Sequence, residues 1–553
     1  MKNFVPHSSK FLSKSKSDED KTKATVAHFE DAPSSKSVDD APAGFIAPEE
    51  SIDDYLYLDK PFYKYRFMHV LNWYIFLNTL SATTSGYDGS MLNGFQIIDR
   101  WGKKMGNPSG AVLGALSNGV VFGGLIAAFF ASSFCDRYGR KPTVLLGAFF
   151  LILGSILQGA STNYTFFLMS RLIIGVGTGL SAVGSPCLIS ELAYPKYRDT
   201  CTSFYNTFWY LGATIAAWVT FGTHKIPSQY AWKIPSYLQA ALPLAQLLCF
   251  YWVPESPRYL ISRGKIDKAT EILRKYHTGN DFSEQATRLV EFEVREISAA
   301  LELEKLYSNS KYTDFITLPT YRKRLFLVVF TAFFMQLPGN GLVSYYLNKV
   351  LDTIGITSAS HQLIINGGLM IYNMGVSWFL TLLVRFFRRR TLFLASSLGM
   401  CVCYIIWTIL SARFAMTNNT DSLLAKGVLA FIFLFYFAYN VGANVLPFLY
   451  ISEVVPYSHR AKGLNILQVS INIFLIYNGF VNPIAMDAIQ WKYYIVYCCI
   501  LGVEVIVIYF FYVETSGYTL EEVAIVFGDD PKDLQPHLSS ASEKPSVEKV
   551  ETV

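Results

Sequence analysis

Two charged residues interrupt otherwise apolar runs. Asp88 lies in SATTSGYDGSMLNG (81–94), at the far end of a run that begins near Phe67, and Arg171 opens another in SRLIIGVGTG. A carboxylate at membrane depth costs about 2.5–3.5 kcal/mol, so it must face the protein interior and find a cation. Arg171 is the first basic residue inside a later run of the same block. Burial and a neighbouring cation pull a carboxylate's proton affinity in opposite directions, so a pair of variable separation can take up and release one proton. The alternative is a permanent salt bridge, which needs no titration. Midspan amides form a second set: Asn206, Gln336, Asn340, Asn373, Asn440 and Asn472. A single buried amide commonly joins helices, but these six come from five different runs.

A third set is charged and lies at the ends of runs. DRYGRKP supplies Asp136, Arg137, Arg140 and Lys141, with Gly139 permitting a tight turn, and Glu191 and Arg198 follow in ELAYPKYR. Cations here can reach Glu191 or an adjoining helix end, forming an inner charge lock expected to stabilise the outward-open state. Other chemistries lack their residues. No GxxxxGK[ST] occurs, so ATP-driven transport has no phosphate cradle, and GVGTG lies inside an apolar run, where Gly175 and Gly179 offer a GxxxG packing face. No metal-ligand or nucleophile constellation suggests an enzyme. The eight cysteines show no paired metal-ligand spacing and read as small apolar residues.

The elements that position these groups are membrane helices. The 553 residues are 52% hydrophobic and 16% charged, with mean hydropathy +0.28, too apolar for an ordinary soluble protein. Runs long enough to cross a bilayer as helices fall near 68–91, 111–131, 143–161, 166–186, 201–221, 237–254, 323–347, 362–384, 391–412, 426–450, 464–485 and 493–513. No secretory signal precedes them, so the first run serves as the insertion signal. The basic loops CDRYGRKPT, YPKYRDT, FFRRRT and SHRAKG all fall on one side, cytoplasmic by the positive-inside rule, while RWGKKMG (100–106) falls on the other, against the rule. Both termini are then cytoplasmic, and the sequons at Asn163 and Asn418 lie in outer loops. The net charge of +5 is ordinary for such a protein and implies no nucleic acid.

The chain divides into a disordered cytoplasmic tail (1–66), a six-helix bundle (67–254), a cytoplasmic linker with short helices (255–322), a second six-helix bundle (323–513) and a cytoplasmic tail (514–553). The bundles repeat each other. ELAYPKYR (191–198) matches EVVPYSHR (453–460), each with an Arg seven residues after a Glu, and VPESPRYL (253–260) matches VETSGYTL (513–520). The repeats add Glu255, Arg258, Glu453 and Arg460 to the charge lock. Two similar halves point to an all-α transporter whose site lies at the midplane between them.

CDRYGRKP, RLIIGVGTG, ELAYPKYR, PESPRYL, SEVVPYSHRAKG and VETSGYTLEE resemble, in order, the signature motifs of the sugar porter family of the major facilitator superfamily. YNTFWYLGATIAAW (205–218) and GNGLVSYYL (339–347) look more like the fungal lactose and cellodextrin permeases than the hexose branch. The resemblance implies twelve transmembrane helices in two pseudo-symmetric halves and a plasma-membrane location. It also implies Asp88 and Arg171 as the proton-coupling pair, sugar contacts at Asn206, Gln336, Asn373 and Asn472, and an outer gate at Tyr345 and Tyr346.

A sugar needs paired hydrogen bonds for its hydroxyls and aromatic faces for its rings, which adds Asn340, Asn440 and Phe448 to the candidate site. The chain departs from the family at four places. Met335-Gln336 replaces paired glutamines, Gly341 stands where the family has Asn, and Phe448 replaces a Trp, changes that enlarge the pocket and favour a disaccharide. VRFFRRRTL lacks the Asp and Gly of the second inner loop, which predicts a weaker lock in that half. The expected activity is therefore proton-coupled import of a β-linked disaccharide such as lactose or cellobiose, by alternating access. No cofactor beyond the proton and no obligate protein partner are expected, the partners being sugar and lipid bilayer. A sugar sensor on the same fold, and a hexose or pentose facilitator, are the alternatives.

Overall fold

The computed structural model describes residues 55–58, 62–306, 311–383, 386–417, 421–456, 459–516, 523 and 527. Residues 1–54, most of the C-terminal tail and the sequon at Asn418 lie outside the described residues.

Twelve helical crossings form two halves. The first comprises α1 (Arg66–Ile97), α2 (Gly110–Tyr138), α3 (Arg140–Ala160), α4 (Tyr164–Leu192), α5 (Arg198–Thr223) and a sixth crossing split into α6 (Tyr230–Leu238) and α7 (Ala241–Cys249). Linker helices α8 (Pro257–Ser262), α9 (Ile266–Leu273) and α10 (Glu284–Leu306) follow. The second half comprises α11 (Pro319–Gln336) with α12 (Asn340–Asp352), α13 (Ala359–Leu383), α14 (Arg389–Met416), α15 (Ser422–Gly442) with α16 (Pro447–Val454), α17 (Arg460–Ile489) and α18 (Tyr493–Phe511). Among the described residues eight stretches are long and apolar enough to span a membrane by length and composition, one of them covering both α17 and α18. The first, fifth and sixth crossings escape that criterion. The first carries Asp88 among a run of Thr, Ser and Asn, and the sixth is broken.

Three crossings expected as single helices are discontinuous, each for a chemical reason. Pro243 has no N–H to give the carbonyl of Gln239, so the helix loosens between α6 and α7. Between α11 and α12, Gly339 sits at φ +104, and a Cβ there would lie 2.0 Å from the Tyr404 hydroxyl oxygen, so only glycine suits both the backbone and the space. Pro447 opens α16 at its first position, where its missing N–H is harmless. Breaks of this kind at membrane depth are tolerated where they face a protein interior or a polar cavity.

The two halves are packed by different means. In the first, glycines let backbones touch: a Cβ on Gly86 would lie 1.8 Å from the Trp209 carbonyl oxygen, one on Gly212 1.7 Å from that of Thr83, and one on Gly175 2.2 Å from that of Val120. Gly175 and Gly179 thus form the close-packing face anticipated for GVGTG. The second half relies on aromatic rings, with Tyr404 4.6 Å from Trp407, 5.1 Å from Phe435 and 5.3 Å from Tyr497.

The linker is more than a solvated cap. His277 and Glu293 are both buried, His277 Nδ1 lies 2.8 Å from Glu293, and its Nε2 lies 3.1 Å from the Leu192 carbonyl oxygen at the end of α4. The N-terminal tail also acquires structure before its expected end at 66. Tyr55 stacks on Phe292 of α10 at 4.4 Å, and Phe62–Lys64 form a 3-10 turn.

Candidate functional site

Asp88 is held by three elements. Arg171 on α4 meets it with both terminal nitrogens, Nη2 donating to Oδ2 at 3.1 Å and Nη1 to Oδ1 at 3.3 Å. Gln239, at the break between α6 and α7, donates to Oδ1 at 3.2 Å, and Arg171 Nε donates to the Leu116 carbonyl of α2 at 2.7 Å. The carboxylate is 4% exposed and the arginine 2%. A two-pronged, desolvated bridge of this kind is strong while intact and leaves a costly orphan charge when one partner goes. The sequence brought Asp88 and Arg171 together. It missed Gln239, whose one signal was an amide four residues before Pro243 in an apolar run.

The amides divide into two groups. Asn340, Asn373 and Asn440 join helices: Asn340 Nδ2 donates to the Tyr439 hydroxyl at 3.0 Å, and Asn440 Nδ2 donates to Asn373 Oδ1 at 3.3 Å. Asn444 extends that chain, donating to Asn440 Oδ1 at 2.9 Å and to the Ser377 hydroxyl at 3.3 Å, while Tyr210 of α5 reaches Asn440 from the other half at 3.4 Å. Tyr210 and Asn444 were not singled out from the sequence. Asn206 is exposed, Gln336 and Asn472 are half-buried, and Phe448 is 36% exposed. Gln239 Oε1, Asn340 Oδ1, Asn373 Nδ2 and Asn478 Oδ1 are buried and have no partner among the described residues. They leave unused donor and acceptor capacity in both halves.

The enlargement expected from Gly341 is reduced. Its Cβ position lies 3.0 Å from Asn478 Nδ2, which donates to the Gln336 carbonyl at 2.5 Å. An amide from α17 therefore occupies the space of the missing side chain.

Away from the basic loops the halves are joined. Tyr346, held in a kink at φ −137, ψ 32, donates to the Ser117 hydroxyl of α2 and the Gly479 carbonyl of α17 at 2.9 and 2.8 Å. Gln96 donates to the Tyr345 carbonyl at 2.8 Å, Asn93 to Asn366 at 3.2 Å, and Asn118 to the Ile476 carbonyl at 3.1 Å. At the basic end no hydrogen bond or ion pair joins the halves among the described residues. The deepest ring contact between them toward that end is Phe208 with Trp378, at 5.9 Å.

The charge lock is built twice. In the first half the backbone N–H groups of Arg140 and Lys141 donate to Glu255 at 3.1 Å, Arg140 grips Glu191 with Nε at 3.0 Å and Nη2 at 3.2 Å, and the Ser256 hydroxyl donates to Glu191. In the second, the N–H groups of Arg389 and Arg390 donate to Glu514 at 2.9 and 3.2 Å, Arg389 Nε meets Glu453 at 3.5 Å, and the Thr515 hydroxyl donates to Glu453 at 2.5 Å. FFRRRT thus supplies a cation despite lacking the Asp and Gly. The missing glycine tells only in part, because Gly139 sits at φ +110 with its Cβ position 2.4 Å from Glu255 Oε2, whereas Arg388 holds the matching place with ordinary φ −67. Burial raises the Glu255 pKa against the N–H groups of Ser256, Lys141 and Arg140, which lower it.

Other lock residues play lesser parts. Asp136 pairs with Arg140 at 3.5 Å but is largely exposed, Arg137 offers its carbonyl to Tyr259 and Arg263, and Arg258 pairs with Glu304 of the linker. Arg198 joins no ion pair among the described residues, and Arg460 opens α17. The lock was expected to stabilise the state open away from the basic loops. Each bridge joins helices of one half, and among the described residues none crosses between halves.

Comparison with known proteins gives one consistent picture. Residues 74–527 match the family model described as sugar (and other) transporter. The MFS-type transporter oryC of Aspergillus oryzae is 28% identical over 83% of this chain and 86% of its own length. The low-affinity glucose transporter HXT3 of Saccharomyces cerevisiae is 28% identical over 80% of each chain. Among solved structures, the inward open conformation of the xylose transporter XylE from E. coli superposes with a TM-score of 0.67 at 21% identity, covering 82% of this chain and 99% of that one.

Proposed function

The chain belongs to the sugar transporter family, and from that premise we propose that it is a proton-coupled importer of a β-linked disaccharide such as lactose or cellobiose. As a member of that family with the twelve-helix major facilitator fold, it is a multi-pass membrane transporter and not an enzyme. The coupling part of this reading rests on one observation: the sealed Asp88–Arg171–Gln239 cluster, whose spare Gln239 Oε1 is unpartnered, as are amide atoms of Asn340, Asn373 and Asn478. With Gln239 binding both proton site and ligand, protonating Asp88 frees Arg171 and Gln239 together, so sugar and proton favour the same rearrangement. The basic loops face the cytoplasm of the plasma membrane in this reading, both termini are cytoplasmic, and the structure is the inward-facing state, with Tyr345 and Tyr346 closing the outer gate. Asn206, Gln336, Asn472 and Phe448 then line the open vestibule.

A hexose reading is favoured by a different observation. Asn478 fills the space at Gly341, which narrows the site toward a single ring, and glucose transporters stand among the relatives.

The test is external pH in lightly buffered yeast lacking their own sugar carriers and expressing this chain, as lactose, cellobiose, glucose and xylose are added in turn. Alkalinisation with a disaccharide, absent in Asp88→Asn, is the expected result. Labelled sugar entering without a pH change would make the chain a facilitator, and the absence of both entry and pH change would favour a sensor.

A further inference from the structure

A groove on the outer face of the first half lies away from every residue discussed so far as sugar or proton site. It is about 460 Å³ and is lined by residues between Arg66 and Tyr74 at the start of α1, among them His69, Val70 and Trp73, and by Cys249 and Trp252 from the end of α7 and the turn after it. Arg66 is the first residue of the first crossing, and Trp252 follows the last helical residue of the sixth. Both walls therefore sit at the membrane interface on the basic side. Their composition is graded. Arg66 and His69 are exposed at the mouth, and no carboxylate lines the groove. Deeper along α1, Val70 and Trp73 offer an apolar surface, with Trp73 53% exposed.

We propose that this groove holds one phospholipid of the leaflet on the basic side, its anionic headgroup against Arg66 and His69 and an acyl chain along Val70, Trp73 and Trp252. Charge complementarity selects this occupant: a recess with an arginine, a hydrogen-bonding histidine and no acid, at headgroup depth, matches an anionic phospholipid headgroup. The apolar floor matches what lies directly below a headgroup. Trp73 and Trp252 are the amphipathic rings that favour that depth.

The recess has walls fixed by bonds that do not depend on the lipid. His69 Nε2 lies 2.9 Å from the Tyr63 carbonyl oxygen, which sets the ring's orientation. Lys141 donates to the Tyr251 and Val253 carbonyls at 3.1 and 2.7 Å, on either side of Trp252, and so pins the turn that carries the second wall. Because α1 also carries Asp88 and α7 follows the Gln239 break, a bound lipid bridges the two elements that meet at the proton site.

The experiment uses the full chain, purified in mild detergent, and counts retained lipids by native mass spectrometry after addition of phosphatidylserine or phosphatidylcholine. Preferential retention of one phosphatidylserine is expected, with the preference falling at least tenfold in Arg66→Gln/His69→Gln. Lys103→Gln/Lys104→Gln, at the opposite end, is expected to keep it. Unchanged melting temperature in the first variant shows that the loss is not unfolding. Equal retention of the two lipids by the native chain, or an undiminished preference in Arg66→Gln/His69→Gln, overturns the proposal. Displacement by millimolar inorganic phosphate also overturns it, in favour of a free-anion site.

Discussion

Replacing Asp88 by Asn separates two roles that a buried pair can have. In the native chain Arg171 sends two bonds to the carboxylate, at 3.1 and 3.3 Å, from a site that is 2% exposed. Removing one partner of such a pair costs about 3–5 kcal/mol, most of it the penalty of an uncompensated buried charge. The substituted amide keeps one acceptor oxygen and Arg171 keeps its bond to the Leu116 carbonyl, so the lower end, about 3 kcal/mol, is expected. Asp88→Asn/Arg171→Gln removes both charges, and neutral partners of similar shape recover most of that loss. Coupling does not recover. One proton moving down 100 mV and one pH unit supplies about 3.7 kcal/mol, enough for a concentration ratio of several hundred. The assay is uptake of labelled sugar into proteoliposomes under an imposed pH gradient and potential, alongside thermal unfolding. The single variant should melt lower and both variants should equilibrate sugar without concentrating it. Accumulation by the double variant would refute a proton carried on Asp88, and an unchanged melting temperature in the single variant would refute the stability reasoning.

Four further outcomes follow from the geometry. Arg140→Gln removes a two-pronged grip on Glu191 at 3.0 and 3.2 Å; at about 1.5–3 kcal/mol per well-made charged bond, it should lower both the melting temperature and the transport rate. Gly212→Ala forces a methyl to 1.7 Å from the Thr83 carbonyl oxygen, while Gly222→Ala meets nothing within 4 Å; fluorescence-detected size exclusion should show loss of monodisperse protein for the first and none for the second. Burial lowers the His277 pKa, but Glu293 and the Leu192 carbonyl outweigh it and raise the net value. A raised histidine pKa stabilises below its ordinary value near 6.5 and ceases to as pH climbs past the folded value, so hydrogen exchange in 266–306 should quicken with rising pH beyond its intrinsic rate, and His277→Gln should abolish that excess. Tyr346→Phe deletes bonds to Ser117 and Gly479, and a thiol reagent should reach an Asn366→Cys probe at least severalfold faster in its presence.

What the sequence disclosed depended on whether a residue's meaning was local. Apolar runs mark helices because they act over a few residues, so eleven of the twelve expected runs each overlap one crossing closely, while the breaks near Pro243, Gly339 and Pro447 were not read. The sixth began later than the helix does, since Tyr230–Leu238 mixes Lys233 and Ser236 into its first turns. Asp88 and Arg171 were legible because charge is rare in such runs. Gln239 was not, because an amide becomes significant only through what stands opposite, here a carboxylate 151 positions away. The same limit applies to Asn478, whose place beside Gly341 depends on the packing of α17 against α12. Conversely, FFRRRT looked deficient because its Asp and Gly are absent, yet two of the donors to Glu514 are backbone N–H groups, which no side-chain pattern records.

The doubled carboxylate nests have a consequence for how the chain can be divided. Glu191 and Glu255 are satisfied wholly within the first half, Glu453 and Glu514 within the second, and the linker splits its allegiance in the same way. His277 anchors its earlier part to Leu192, while Asp314 receives His459 at 3.0 Å in its later part. Each half therefore carries its own fastenings, one set before Leu306 and the other after Lys311. Two polypeptides ending and beginning there, made in one cell, should find each other through the Tyr346, Asn118 and Tyr210 contacts and assemble a working carrier from separately inserted parts.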